Sequence, residues 1–307
     1  MKSKSTFIPK VILITGCSSG FGLLTAAHLA SKGHYVIATM RNLDKQLSLR
    51  NQVKKSEMTI DIKQMDVTDP TSIKKTMAEI GAQYGNIDVL INNAGYGLGG
   101  FFEDLTDEEI RQQMETNFFG VQSVTRAVIP LMRQRKNGRI ISLSSVSGFT
   151  SSPAFGAYNA SKWALEGFME SLRYELKFWG IKVLLIEPGT YKTKIFFENA
   201  KYAKNFTNED SPYFPISQHI KKKVMDSVED CFKDTEEIPV LIEKLINAQN
   251  PPFRSIPDIE TQVQYWLRKI LPFRIYSWLV ERILFKDLKF SGDYVDYPSL
   301  AKPEANE

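Results

Sequence analysis

Short apolar runs alternate with longer stretches of helical period along the first two-thirds of this 307-residue chain. Val11-Ile-Leu-Ile-Thr15 is of strand type, and Leu23-Leu-Thr-Ala-Ala-His-Leu-Ala30 behind it reads as helix. The pattern predicts strands over 11–15, 35–39, 59–64, 87–92, 138–144 and 181–186. Helices are predicted over 20–32, 43–54, 70–84, 107–134 and 157–179. Strands separated by single helices imply parallel pairing with crossover helices on both faces, an α/β doubly wound sheet of Rossmann type. Thr15, Thr39, Asn92 and Ser145 then lie at strand carboxyl ends, on the sheet edge where such folds bind ligands.

After Pro188 the pattern loosens. Residues 196–235 are rich in charge, Asn, Ser and Phe, and read as a long loop with short helices. A helix is predicted over 236–248 and a short strand over 254–257, followed by two apolar-basic helices within 259–287 that part near Pro272. The reading is one Rossmann-type domain over 1–258, with a loop at about 190–235, and a helical extension over 259–307 packed on it.

Candidate chemistry lies between Ser145 and Lys162. Tyr158 and Lys162 are four apart, so on a helix both leave the same face. A free phenol ionises near pH ~10. An ammonium about 5 Å away, at an effective dielectric of ~20, favours the phenolate by roughly 3 kcal/mol, or about two pKa units. The spacing is not specific, because Tyr265-Trp-Leu-Arg-Lys269 repeats it. Only Tyr158 has a serine thirteen residues upstream, beyond a strand; Tyr265 has Pro252 there and reads as an ordinary helix face.

A second anchor is Thr15-Gly16-Cys-Ser18-Ser19-Gly20-Phe21-Gly22, a glycine turn between a strand and a helix. Such a turn lets backbone approach a phosphate at the helix N-terminus. Alone, it is equally a tight turn without ligand.

Together the motifs resemble the short-chain dehydrogenase/reductase family. Its Thr-Gly-x-x-x-Gly-x-Gly matches Thr15 to Gly22, and its Asn-Asn-Ala-Gly matches Asn92 to Gly95. Its helix asparagine matches Asn117, its Ser and Tyr-x-x-x-Lys match Ser145, Tyr158 and Lys162, and its Pro-Gly turn matches Pro188-Gly189 with Thr193 beyond. The motifs occur in family order from about residue 11 to 195. Among subgroups the chain is most similar to hydroxysteroid- and retinol-dehydrogenase-like members.

The resemblance implies an oxidoreductase that exchanges hydride between a nicotinamide cofactor and an alcohol or carbonyl. It assigns proton transfer to Tyr158, a hydrogen bond on the same oxygen to Ser145, the ribose hydroxyls to Lys162, and a water behind Lys162 to Asn117. It places the cofactor against Gly16, Ser18, Ser19, Gly20, Phe21, Gly22, Asp66, Val67, Asn93 and Thr193. It makes the 190–235 loop a substrate cover, and helices 107–134 and 157–179 the surfaces of a dimer or tetramer. An NAD enzyme usually ends its second strand on an acid. This chain has Thr39-Met-Arg41 there, and Arg41 suits a 2′-phosphate, so NADP is expected over NAD. The alternatives are a cofactor-binding regulator without turnover, opposed by the complete Asn117, Ser145, Tyr158 and Lys162 set, and a membrane-peripheral lipid-metabolising dehydrogenase.

Composition agrees with a globular chain: 43% hydrophobic, 24% charged, net charge +4. Basic runs such as Lys221-Lys-Lys223 are interrupted, and nucleic acid is not an expected partner. Two cysteines and three histidines, without ligand spacing, imply neither a disulfide framework nor a metal. Cys17 reads as a small buried residue of the glycine loop. Pro9-Lys10 interrupts any N-terminal signal, and no run approaches the ~18 apolar residues of a membrane span, so a cytoplasmic enzyme is expected. The expected lid draws on Ile195-Phe-Phe197, Phe206, Tyr213-Phe214, Trp266 and Trp278, which suits a lipophilic substrate. Gln264 to Phe285 has the character of a membrane-surface segment, with Arg268, Lys269, Arg274 and Arg282 toward headgroups, and equally that of a subunit contact; the membrane is not the favoured partner.

Overall fold

The computed structural model describes residues 7–54, 60–193, 200–286, 288–291 and 294–296. Seven parallel strands make the central sheet: β1 (Val11–Ile14), β2 (Tyr35–Met40), β3 (Ile60–Gln64), β4 (Val89–Asn92), β5 (Gly138–Leu143), β6 (Ile181–Ile186) and β7 (Arg254–Ser255). Their spatial order is β3-β2-β1-β4-β5-β6-β7. The order reverses between β1 and β4, which opens a crevice at their carboxyl ends.

Every side chain of β1 is buried, and alternate residues serve opposite faces. Ile12 and Ile14 pack with Ala26 and Leu29 of α1 (Gly20–Ser31) and with Ile238, Ile242 and Leu245 of α8 (Glu237–Asn247). Val11 and Leu13 pack with Val124 and Val128 of α5 (Gly120–Gln134) and Leu165 and Met169 of α6 (Gly156–Leu176). Two apolar layers thus cover the middle of the sheet, which is why β1, β4 and β6 read as nearly continuous apolar runs, while the edge strand β3 is half-buried.

Local chemistry sets the ends of the other elements. Helix α2 is Leu47–Lys54, and a 3-10 turn over Leu43–Gln46 precedes it. Asp69 caps α3 (Pro70–Tyr84) by accepting from Thr71 N, proline opens the helix, and Gly85 closes it at φ 72°. Thr106 and Glu109 form a capping box on α4 (Asp107–Met114). The predicted single helix over 107–134 is in fact three pieces: α4, a π turn over Glu115–Phe119, and α5. Helix α7 (Phe214–Glu229), 16 residues long, lies in the region read as a long loop with short helices. Asp258 caps α9 (Ile259–Ile270), and Pro272 separates it from α10 (Phe273–Phe285), as the pattern predicts.

Two short ladders went unsignalled: Leu98–Gly99 with Lys201–Tyr202, and Lys289–Ser291 with Tyr294–Asp296. Among the described residues no helix is long and apolar enough to cross a membrane, and no group of His, Cys, Asp or Glu could hold a metal ion.

Candidate active site

The glycine loop leaves β1 and turns into α1. Gly16 and Gly20 hold φ of 72° and 56°, a left-handed region that favours glycine. A Cβ on Gly16 would stand 2.7 Å from Ala94 Cα, and one on Gly22 would stand 2.3 Å from Asn93 Nδ2. A Cβ on Gly20 would meet nothing within 4 Å, so the loop is open at that point. Asn93 braces the turn from β4: its Nδ2 donates to Thr15 O and Gly16 O, both at 2.9 Å. Thr15 Oγ1 accepts from Asn93 N at 3.0 Å and Ala94 N at 2.9 Å. These bonds make a cradle of bare backbone at a helix N-terminus, which fits a phosphate-bearing cofactor. Cys17 lies beneath it, donates to Ile14 O, and has its thiol pushed up to about 12 by burial.

Neighbouring strand ends extend the crevice. Arg41, just beyond β2, is exposed and makes no ion pair among the described residues. Its carbonyl accepts from Gln64 Nε2 at 3.2 Å. Asp66, beyond β3, spends Oδ1 on Thr68 N and Thr68 Oγ1 at 2.9 and 2.7 Å. Val67 beside it is buried against Gly120, where a Cβ would meet Val67 Cγ2 at 2.8 Å.

Strand β5 ends at Leu143, and two residues on the Oγ of Ser145 accepts from Ser147 N at 3.1 Å. The turn carries the chain to α6, and the first two turns of α6 present Tyr158 and Lys162. The Lys162 ammonium lies 5.8 Å from the Tyr158 ring centroid and donates to Leu143 O at 2.8 Å. Both groups, with Ser145, line a cavity of about 100 Å³. Phe21, Asn93 and Thr193 also line it, as do Gly95, Tyr96, Leu143, Ser144, Pro188, Gly189 and Tyr191. A larger hollow of about 420 Å³ lies elsewhere, between Lys223 of α7 and Leu279, Arg282, Ile283 and Lys286 at α10.

Electrostatics differ from the sequence expectation. Burial pushes the Tyr158 phenol up, and the Ser145 hydrogen bond only partly offsets this. Burial pushes Lys162 down to about 8, with Glu166 pulling the other way. The expected lowering of the phenol by its neighbouring cation is therefore outweighed. Lys162 is 8% exposed, so the low-dielectric wall that would strengthen its field also penalises the charge that makes it.

Asn117 is 1% exposed and sits in the π turn. Its Nδ2 donates to Tyr96 O and Ser161 Oγ at 3.0 and 3.1 Å, and its Oδ1 accepts from Tyr96 N at 3.1 Å. Both amide protons are thus spent on the wall of the cavity, leaving one lone pair for a water.

None of the described residues expected in the aromatic lid lines the cavity. Residues 195–197 lie outside the described residues. Phe206 is buried against Tyr202, with ring centroids 4.5 Å apart, and Tyr213 stacks on Phe101 at 5.0 Å. Trp266 and Trp278 are 54% and 52% exposed and do not line it. Tyr96 and Tyr191 do line it, though the sequence reading did not single them out. Tyr191 is buried and donates to Glu237 Oε2 at 3.1 Å; its signal was an aromatic two residues beyond Pro188-Gly189.

Comparison with known proteins matches this architecture. Residues 10–204 match the short chain dehydrogenase family model. A 3-ketodihydrosphingosine reductase of Bacteroides thetaiotaomicron is 36% identical over 277 residues, covering 90% of this chain and 95% of that protein. Retinol dehydrogenase 8 of Homo sapiens is 34% identical over 291 residues, covering 91% of each. A solved short-chain dehydrogenase from Streptomyces avermitilis superposes with a TM-score of 0.75 at 30% identity, covering 92% of this chain and 97% of that one. The glycine cradle, the parallel sheet and these likenesses converge: the chain belongs to the short-chain dehydrogenase/reductase family and is an NAD(P)-dependent oxidoreductase.

Proposed function

We propose that the protein interconverts a lipophilic alcohol and its ketone or aldehyde, using NADP. The observation that carries this reading is the convergence of Ser145, Tyr158 and Lys162 on one cavity with Phe21, Tyr96, Leu143, Pro188 and Tyr191 in its wall. A carbonyl there meets a hydroxyl and a phenol on one side and apolar surface on the other. Bound NADP supplies or takes the hydride.

The chain's own residues manage binding and the proton. Gly16, Ser18, Ser19, Gly20, Phe21 and Gly22 hold the phosphates; Asp66, Val67, Asn93 and Thr193 hold the rest of the cofactor. Arg41, exposed and without an ion-pair partner among the described residues, takes the 2′-phosphate. In reduction the phenol of Tyr158 donates its proton to the substrate oxygen while Ser145 donates a hydrogen bond to it. The upward displacement of the phenol suits an acid that stays protonated near neutrality. Asn117 holds Tyr96 and Ser161 in place and leaves a lone pair for a water behind Lys162. The test is NADPH consumption on ketones of rising hydrophobicity. Flat or falling kcat/KM along the series, with higher values for sugars or charged keto acids, overturns the lipophilic reading; no turnover on any of them favours the silent regulator.

A second reading concerns location. Trp266, Ile270, Phe273, Trp278 and Ile283 are all at least half exposed on α9 and α10, beside Arg268, Lys269, Arg274 and Arg282. Aromatics and aliphatics interleaved with cations suit an anionic lipid surface. We place the protein in the cytoplasm, docked peripherally by this face. Cosedimentation with vesicles of phosphatidylglycerol and phosphatidylcholine, lost in the Trp266→Glu/Trp278→Glu variant, supports this; an unbound wild type rejects it. Exposed Phe119, Trp163, Tyr174 and Phe178 around α6 support a homo-oligomer, which light scattering tests.

A further inference from the structure

Behind Lys162 lies a charge cluster that the proposed reaction does not use. Glu166 follows Lys162 by one turn of α6. Glu187 follows β6, immediately before Pro188 of the cavity wall. Arg254 comes from β7. The same Arg254 Nη1 contacts both Glu166 Oε2 and Glu187 Oε1, the latter at 2.6 Å, while its Nη2 reaches Glu170 Oε2 at 3.0 Å.

The two inner carboxyls are deeply buried. The side chains of Glu166 and Glu187 are 6% and 0% exposed, against 48% for Glu170. Their second oxygens, Glu166 Oε1 and Glu187 Oε2, receive no hydrogen bond among the described residues. Two buried anions on one guanidinium nitrogen leave one carboxylate's charge to Lys162, whose own ammonium burial penalises. A single proton on the pair removes that charge and supplies the missing donor.

We propose that Glu166 holds a proton beside Glu187 and Arg254, and that Glu166, by releasing it as pH rises, keeps the ammonium on Lys162. This makes Glu166 a positioning residue, and it rests on the reading of Lys162 as the cation that serves Tyr158.

The surroundings are consistent with it. Burial, then Glu187, push Glu166 up to about 8, and Arg254 only partly pulls it back. Burial alone would lower Arg254, but Glu166 and Glu187 hold it above its ordinary value. The groups that face Glu166 are Lys162 and Glu170 from its own helix, Ser144 from the end of β5, Glu187 from the end of β6, and Arg254 from β7. Arg173 of α6 is near too, 5.0 Å from the Phe253 ring that Arg254 also covers. Gly148 closes the space: a Cβ there would meet Ser144 Oγ at 2.7 Å and Glu166 Cγ at 2.9 Å. Burial pushes Lys162 itself down, toward the raised Glu166. As Glu166 ionises, its new charge opposes loss of the Lys162 proton.

The test is Glu166→Gln, which keeps the shape and removes the titration. The alkaline limb of kcat for carbonyl reduction should move to lower pH by roughly half a unit or more, the scale of one partly screened charge nearby. Glu170→Gln, at the exposed end of Arg254, should leave the limb in place. A second readout needs no turnover. Folding raises Glu166 from its ordinary 4.5 to about 8, so the folded state holds an extra proton between those values. Its stabilisation is full below about 4.5 and fades as pH rises through 8. The fall in Tm from pH 5 to 8 should flatten in Glu166→Gln, and equally in Glu187→Gln should the first variant not fold. An unmoved limb, or Tm profiles parallel to wild type, overturns the proposal. Failure of the Tyr158 reading is separate: it would show as a Tyr158→Phe variant that still turns over.

Discussion

Two tyrosine–lysine pairs in this chain have the same spacing and nearly the same internal geometry. Lys162 lies 5.8 Å from the Tyr158 ring centroid, and Lys269 lies 5.7 Å from that of Tyr265. What separates them is everything outside the pair. Lys162 is buried, bonded to a strand carbonyl, and shares a cavity with Ser145. Tyr265 packs edge-on against Phe149 at 5.1 Å, on a helix whose neighbouring Trp266 faces outward. A four-residue spacing places two side chains on one helix face; the strands that end beside that face decide whether they can do chemistry.

The largest effect that could break this comparison belongs to Tyr158→Phe. Removing one hydroxyl leaves packing almost unchanged and deletes the proton donor. Turnover should fall about 10²–10⁴-fold, with cofactor binding retained by fluorescence titration. A variant that keeps half its activity would erase the distinction between the pairs. Next in size is Arg41→Asp. NADPH affinity should weaken by about 2 kcal/mol or more, the scale of hydrogen bonds to a charged group, with NADH affected far less. Lys269→Asp, an equally exposed change of sign, should leave both cofactors unaffected in calorimetric titrations.

The same dependence on surroundings shows in two glycines. An alanine at Gly22 would force its Cβ to 2.3 Å from Asn93 Nδ2 and 2.4 Å from Gly16 O. Gly22→Ala should cost about 1–3 kcal/mol by chemical denaturation. Gly167, on the exposed side of α6, meets nothing within 4 Å, and Gly167→Ala should stabilise by about 0.4–1 kcal/mol. The smallest effect is that of Tyr265→Phe, whose kcat/KM should stay within about twofold of wild type. That limit is set by its absence from the cavity wall rather than by a particular interaction energy.

Much of this was legible because the inner strands of the parallel sheet, β1, β4 and β6 above all, are apolar along most of their length. β1, β2, β5 and β6 fall within a residue or two of their predicted limits. The catalytic candidates were legible because they lie on short-range motifs: Ser145 at a strand end, Tyr158 and Lys162 on one helix face. Electrostatics were less so. The spacing promised a cation beside a phenol, yet the sign of the displacement at Tyr158 depends on how dry the site is, a property of the whole fold. Nor could spacing reveal Glu166 and Glu187 on one Arg254 nitrogen, because the three residues arrive from α6, β6 and β7. Tyr96 and Tyr191 escaped notice for the same reason: nothing in their neighbours along the chain says that both face one cavity.

The π turn at Glu115–Phe119 has a consequence for the helix that contains it. Each residue of an α-helix advances the azimuth by about 100°, and a π turn holds one residue more than a regular turn. The insertion therefore acts as a phase shifter. Upstream of it, Gln113 reaches the Tyr96 carbonyl at 3.0 Å, and Asn117 within it reaches the same atom at 3.0 Å. Downstream, Val121, Val124 and Val128 are aimed at the sheet. Deleting one residue from 115–119 would give a smoother rod with its flanking residues near their present phase, whereas winding all of 115–119 as regular α-helix would swing Gln113 about 100° around the axis relative to those valines. A single irregular turn thus lets one continuous rod keep two appointments that a regular helix of the same sequence could not keep together.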